Sequence, residues 1–540
     1  MSVNQTVNTT LKVLFTTLIF VGIVVSPLGC DIDSHFNSLN TPEDRLTSDE
    51  LDVGSIGKTF AYIQYHAMRG QFGGGGYNQI NIRYADHIPQ YIAATASFVR
   101  TDNLEEDARM GHLGWLYFYE NVTPQLGFLL ETTEEQGLKL ENAVAKVWKV
   151  MSYSQMTDVW GPIPYSEANS GGKSIPYDSQ EEIYKDFFKL LDEAIPVLNQ
   201  NKGATVFGSD DIIYDGDVDK WIKFANSLRL RLALRVKYVD PNLAQQEAEK
   251  AVSGELMTTP DDVAKVLTTS ENRHPLTTIT AWGEFRTGAA VESVLEGYED
   301  PRLTEYMNPA AEGDQDGDGS PYEGLRNGLP PTEKGTDLND FHSHMDSKWL
   351  PLNQGGENPP IRVMGPGEVY FLRAEGALEG WNMGGSPEEL YNQGIRLSLE
   401  EKTDATDQEI EKYISSSKTP KEVQDEWNSG ALSDIPVKFE SDASKERKLE
   451  QIITQKWIEL YPNGWEAWTE YRRTRYPDLF PLVESLHPDI PKDEQWRFRR
   501  LTFTSGEYDN NREAVEEAIS LLDGPDENTT SLWWQAKPLP

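Results

Sequence analysis

The stretch "DVDKWIKFANSLRLRLALRV", residues 217–236, restricts the fold more than any other part of the chain. Trp221, Phe224, Ala225, Leu228 and Leu232 recur at helical spacing and form one apolar stripe. Arg229, Arg231 and Arg235 interrupt an otherwise apolar helix. A guanidinium inside apolar surroundings must be gripped by carboxylates or carbonyls, which it can hold through two parallel hydrogen bonds. The helix therefore needs neighbours that carry buried acceptors. We read the three arginines as polar ties between helices, with a site for an anionic ligand as the other reading.

Suitable neighbours are present. "SQEEIYKDFFKLLDEAIPVL" opens with a capping box, Ser179 and Glu182, and lines up Ile183, Phe187, Leu190, Leu191, Ala194 and Leu198. "EVYFLRAEGALEGW" follows the breaker Gly365-Pro366-Gly367 and puts Tyr370, Ala374, Ala377 and Trp381 on one stripe. "LEQIITQKWIELY" does the same with Leu449, Ile453, Trp457 and Leu460. Further helices are expected near 51–68, 104–130, 136–157, 241–254 and 388–402. Long segments rich in Gly, Pro, Asn and Asp separate them at 70–90, 160–178, 256–283, 301–366 and 403–440. Loops of that length in a compact domain usually carry function. The expected fold is mainly α, built of helical hairpins with long loops and few short strands. No linker cuts the chain after residue 50, so 51–540 is expected to be one large domain.

The first residues differ. A polar start is followed by "LKVLFTTLIFVGIVVSPLG", with one charge, Lys12, and small residues at its end. Residues 1–29 have the form of an export signal. Cys30 is the only cysteine in the chain, so an internal disulfide and a cysteine zinc site are excluded. Its place after Gly29 is that of the lipid-carrying cysteine of bacterial lipoproteins, although Pro27 departs from their usual leucine. Residues 30–50 are polar and turn-rich and read as a tether. The net charge of −39 argues against nucleic acid as a partner, because that requires a clustered positive surface.

Eight segments taken in order resemble the SusD-like outer-membrane lipoproteins of Gram-negative bacteria. They are "DVWGPIPYSEA", "WIKFANSLRLRLALR", "DPRLTEYM", "YEGLRNGL", "GPGEVYFLRAEGALEGWN", "YNQGIRLSLEE", "ITQKWIELYPNGWEAWTEYRRT", and the tail pair "RFRRLTF" and "LWW". The resemblance covers nearly the whole chain. It implies helical hairpins resembling tetratricopeptide repeats, and a lipid anchor at Cys30 in the outer membrane, facing the cell exterior. Asp31 and Asp33 resemble the family's surface-export tag. It also implies a partner, a SusC-like TonB-dependent β-barrel transporter, to which an oligosaccharide or sometimes a peptide is delivered.

Sugar binding uses aromatic faces ringed by groups that contact hydroxyls. The loops offer such groups. "RGQFGGGGYNQINIRYADH" carries Phe72, Tyr77, Asn81 and Arg83; "TAWGEFR" carries Trp282, Glu284 and Arg286; "SKWLPLNQ" carries Trp349. The glycine run has no GK[ST] after it, so it is not a phosphate-binding P-loop. In "GDQDGDGSPYEG", Asp314, Asp316 and Asp318 alternate ahead of Gly319, as in the opening of an EF-hand calcium loop. The twelfth position, where that loop requires Glu, is Leu325, and Glu323 comes two places early. A structural calcium is the candidate cofactor. "HSHMD" sets His342, His344 and Asp346 at alternate positions, a weaker metal pattern. No nucleophile elbow or HExxH appears. The expected function is capture without catalysis, and the rival is a glycan hydrolase with paired carboxylates.

Overall fold

The computed structural model describes residues 55–70, 76–172, 174–425, 427 and 430–537. The expectations for the signal, Cys30, the tether and Phe72 lie outside the described residues. Among the described residues there are eighteen α-helices and four short strands, and no helix is long and apolar enough to cross a membrane.

The longer helices are α1 (Ile56–Ala67), α2 (Ala108–Asn121), α3 (Thr123–Glu135), α4 (Lys139–Trp160), α5 (Gln180–Gln200), α6 (Val218–Arg235), α7 (Pro241–Val252), α8 (Pro366–Leu378), α9 (Pro387–Lys402), α10 (Lys445–Leu460) and α11 (Gly464–Thr474). Successive helices pack as neighbours, α3 on α4, α4 on α5, α5 on α6 and α6 on α7. α8 packs on α9 and α10 and also touches α6, which joins the two halves of the scaffold. The strands β1 (Ile92–Ala94), β2 (Ala264–Val266), β3 (Phe285–Thr287) and β4 (Ile361–Met364) form two antiparallel pairs, β1–β3 and β2–β4.

Local chemistry explains the helix ends. The Ser179–Glu182 capping box forms at the start of α5, with Glu182 N donating to Ser179 Oγ at 3.3 Å and Ser179 N to Glu182 Oε2 at 3.2 Å. α4 stops at Gly161, whose φ of +86° suits glycine. The single helix expected over 104–130 is two, because Pro124 has no N–H to continue the ladder from α2 and instead starts α3. The expected loop 403–440 contains a helix, Asp407–Ile414, with its own capping box at Thr406 and Glu409. The expected loop 70–90 contains a π-helix, Asn78–Ala85.

The buried arginines tie helices together. Arg231 Nε and Nη2 each donate to Glu368 of α8 at 2.7 Å. Arg235 donates to Asp158 of α4 at 3.0 Å and to Glu466 of α11 at 2.6 Å. Arg229 pairs with Glu247 of α7. Arg473 of α11 forks onto Glu375 of α8 at 2.7 and 2.6 Å and onto Glu470 at 2.8 and 2.6 Å. Lys237 and Lys456 complete the set on Glu375 and Glu470, at 2.8 and 3.0 Å. The tie reading therefore holds, and the anion-site reading fails, because protein carboxylates already occupy these guanidiniums. Burial raises the Glu375 carboxyl, but Arg473 and Lys237 outweigh it and hold the group at about 2.

Losing one partner of a buried pair costs about 3–5 kcal/mol, against about 0–1 kcal/mol for an exposed pair. Arg473→Met should therefore lower the denaturant midpoint far more than Arg396→Met, whose partners Asp407 and Glu411 are largely exposed. Equal shifts in guanidinium unfolding would disprove the network's role. Because the Glu375 carboxyl is depressed in the folded state, its contribution is present above pH of about 4.5 and should fade as pH drops toward about 2.

Candidate ligand-binding face

Three loops meet on one backbone carbonyl. Gly283 O accepts Thr95 Oγ1 at 2.8 Å and Asn339 Nδ2 at 3.0 Å. The β1–β3 pairing sets this up by placing Ala94 opposite Phe285 and Ala93 opposite Arg286. Past the end of β1, Thr95 N and Ala96 N donate to Glu284 O at 2.9 and 3.3 Å. The 282–284 turn depends on Gly283, which has a φ of +66° and would set a Cβ 2.8 Å from Asn339 Nδ2. Arg286 Nε donates to Asn339 O at 3.1 Å and closes the third loop onto the strand.

Each loop presents an aromatic ring to solvent. Phe98 is 63% exposed, Phe341 42% and Trp282 39%. They are three of eight large hydrophobic residues exposed among the described residues, and all three sit on the loops joined at Gly283 O. Polar groups surround them. The Arg83 guanidinium lies 5.5 Å from the Phe98 ring and 3.5 Å from Glu284. Burial pulls Arg83 down and pushes Glu284 up, because a 3.5 Å pair does not fully offset their desolvation. Arg83 Nε has no acceptor among the described residues. Burial also lowers Arg286, to about 10, and it stays cationic at neutral pH. The result is a set of exposed rings with two arginines, a carboxylate and an amide on or beside the same loops. Such a set suits a ligand with apolar C–H faces and hydroxyls.

The expected residues separate into two groups. Arg83, Trp282 and Arg286 come together here. Tyr77 and Trp349 are core residues instead, 4% and 6% exposed, each packed edge-on against buried His274 at 5.4 and 4.9 Å. Asn81 is buried within the π-helix. Corrections at these three positions share one cause: the segments enter the core, where a solvent-borne ligand cannot reach their side chains. Phe98, Asn339 and Phe341 escaped notice in the sequence. Phe98 is a lone aromatic among small and polar residues in "ATASFVRTDN", and that was the available signal.

The acidic loop is also rearranged. Asp314 accepts Gly317 N at 2.7 Å and Gly319 N at 3.0 Å. Asp318 turns to Lys421, which also contacts Glu292 and Glu296. Carboxylate oxygens of Asp314, Asp316 and Glu323 converge within 4.8 Å of one another. Two carboxylate groupings are therefore close enough to hold an ion, Asp314–Asp316–Glu323 and Glu292–Asp316–Asp318, and Lys421 pairs with Glu292 and Asp318 of the second. His342 and His344 set ring nitrogens against backbone carbonyls, Leu338 O at 3.0 Å and Met345 O at 2.8 Å, and do not converge on a metal position.

A family model described as SusD and RagB outer membrane lipoprotein matches residues 38–535. The chain belongs to the SusD-like family. Solved SusD-like structures agree over almost their full length. A chitin-binding SusD homologue from Flavobacterium johnsoniae is 31% identical, with a TM-score of 0.80 over 89% of this chain and 99% of that one. A SusD homologue from Bacteroides uniformis is 32% identical, with a TM-score of 0.80 over 90% and 100%. A SusD-like protein from Bacteroides thetaiotaomicron is 30% identical, with a TM-score of 0.80 over 89% and 98%. No curated protein matches the chain. Within the SusD-like fold, two of the segments quoted above serve as scaffold. In "DPRLTEYM", Arg302 forks onto Asp300 at 2.9 and 2.6 Å. In the tail, Arg500 donates to Trp160 O at 3.2 and 3.1 Å, and Trp534 is fully buried.

Proposed function

We propose that this SusD-like lipoprotein captures an oligosaccharide at the outer surface of the cell and delivers it, chemically unchanged, to a SusC-like TonB-dependent transporter. One observation carries the reading: Phe98, Trp282 and Phe341 are held in the open by loops joined at the Gly283 carbonyl. The resemblance to a chitin-binding homologue supports an N-acetylglucosamine oligosaccharide as the first ligand to test. A hydrolase would need two working carboxylates roughly 5–10 Å apart. Glu284, the carboxylate beside the rings, is paired with Arg83. Lipid at Cys30 is the proposed anchor. Calcium is the proposed ion for the Asp314–Asp316–Glu323 group.

An aromatic ring stacked on a sugar contributes about 1 kcal/mol beyond simple burial, so each of Phe98→Ala, Trp282→Ala and Phe341→Ala should weaken binding roughly three- to tenfold. Calorimetry against a glycan panel headed by chitin oligosaccharides checks this. Unchanged affinity in the triple variant would sink the site, and cleavage products after long incubation would sink the non-catalytic reading. Cys30→Ala should move the protein from membrane to soluble fractions, and retention in the membrane would refute lipid anchoring. Terbium luminescence should report a bound ion that calcium displaces and Glu323→Gln abolishes. A signal unaffected by that change would place the ion elsewhere.

A further inference from the structure

Three scaffold helices, α6, α8 and α11, each end beside an aromatic residue that is neither core nor fully exposed: Tyr238, Trp381 and Tyr476. The arginine network brings these ends together. Arg473, near the end of α11, grips Glu375 of α8 and donates to Leu234 O of α6 at 3.3 Å. Between the three ends lies a cleft of about 910 Å³, bounded also by the first turns of α7 and α10 and by Lys537. Its volume is near the top of the range of small-molecule sites, roughly 300–1,000 Å³. It shares no lining residue with the loops that carry Phe98, Trp282 and Phe341.

The cations in its wall are already answered. Lys237 pairs with Glu375 at 2.8 Å and Glu379 at 3.0 Å, and Lys445 also pairs with Glu379. Lys537 pairs with Glu446 at 2.6 Å and donates to Thr474 O at 2.8 Å. Arg475 Nη2 donates to Lys537 O at 2.7 Å. With four cations and three carboxylates in the wall, neither sign dominates. An ionic ligand would have to break one of these pairs or lie against like charge. Two further polar groups have no partner among the described residues, and both are open to solvent. One is Trp381 Nε1, on a half-exposed residue. The other is the carboxylate of exposed Asp478.

A hydroxyl both donates and accepts, so one free donor and one free acceptor in a charge-balanced cleft suit a neutral polyol. The rings supply the apolar part. Lys237 lies over Tyr238 at 4.5 Å and Lys537 over Tyr476 at 4.8 Å. No cation among the described residues lies over Trp381, so its indole is the open platform. A sugar packs its C–H face on such a ring while its hydroxyls take directed partners. We infer that this cleft is a second saccharide site, built on the helical scaffold, that takes a short neutral oligosaccharide. One sugar unit lies on the Trp381 indole, and hydroxyls are held by Trp381 Nε1 and Asp478. The inference stands apart from the Phe98, Trp282 and Phe341 loops.

The Phe98/Trp282/Phe341 triple-alanine protein isolates this cleft, because none of those side chains lines it. Calorimetric titration of that protein with chitotetraose, cellotetraose and maltotetraose should show saturable one-site binding of at least one of them. Tetragalacturonate and tetralysine, which carry opposite charges, should each bind more weakly by roughly tenfold or more. Asp478 is exposed, so Asp478→Ala should leave thermal unfolding unchanged yet weaken the neutral sugar by roughly tenfold. Trp381→Phe keeps a ring against the core but removes the indole N–H, and should weaken the sugar as well. Failure of all three neutral sugars to bind, equal or tighter binding of either charged tetramer, or an affinity indifferent to both substitutions would each overturn the proposal.

Discussion

The scaffold depends on charge buried where water cannot reach it. Arg231, Arg235 and Arg473 reach Glu368, Asp158, Glu466, Glu375 and Glu470 across four helices, and all these groups are buried. Taking so many ions out of water is costly, and only close, multiply bonded pairing offsets it. A fork of two parallel hydrogen bonds accepts one relative placement of its partners, whereas apolar packing tolerates several. The network therefore sets how α4, α6, α8 and α11 sit against one another. Glu368 lies in the first turn of α8, where the helix dipole also favours a carboxylate. Arg472 extends the arrangement by a different route, donating to the carbonyls of Asp158 and Arg499 at 2.7 Å while lying over Trp468.

The rigid helices hold up loops that do not make regular structure. Two three-residue strands and one left-handed glycine are enough to hold the exposed rings, because the loops hydrogen-bond to each other rather than to solvent. Thr280 Oγ1 donates to Trp349 O at 2.7 Å, so the segment that leads into Trp282 is also tied to the buried Trp349.

Much of the scaffold was legible because periodicity and capping are local signals. The α5 helix, its Ser179–Glu182 box, and the need for buried partners at Arg229, Arg231 and Arg235 follow from neighbours in sequence and from the cost of isolated charge. The Thr406–Glu409 box was equally available and marks a helix within a segment read as loop. The aromatic face was only half legible. Phe72, Tyr77 and Trp349 looked like loop residues from composition, yet Tyr77 and Trp349 meet on His274, which is 197 and 75 residues away along the chain. Burial of that kind is a property of long-range packing, and nothing within either loop announces it. The acidic loop shows the same limit: alternation groups Asp314, Asp316 and Asp318, and nothing in it announces that Glu292 and Lys421 converge on Asp318.

The amino-acid sequence by itself determined the helical class, the buried arginine ties and the family. These rest on spacing, charge and segment order, all of which are written along the chain. Only the tertiary structure decided which aromatics face solvent, that Glu292 lies beside Asp316 and Asp318, and that Lys265 stands opposite Arg362. Each of those outcomes compares groups far apart in sequence, and their exposure and pairing are set by the packing that brings them together.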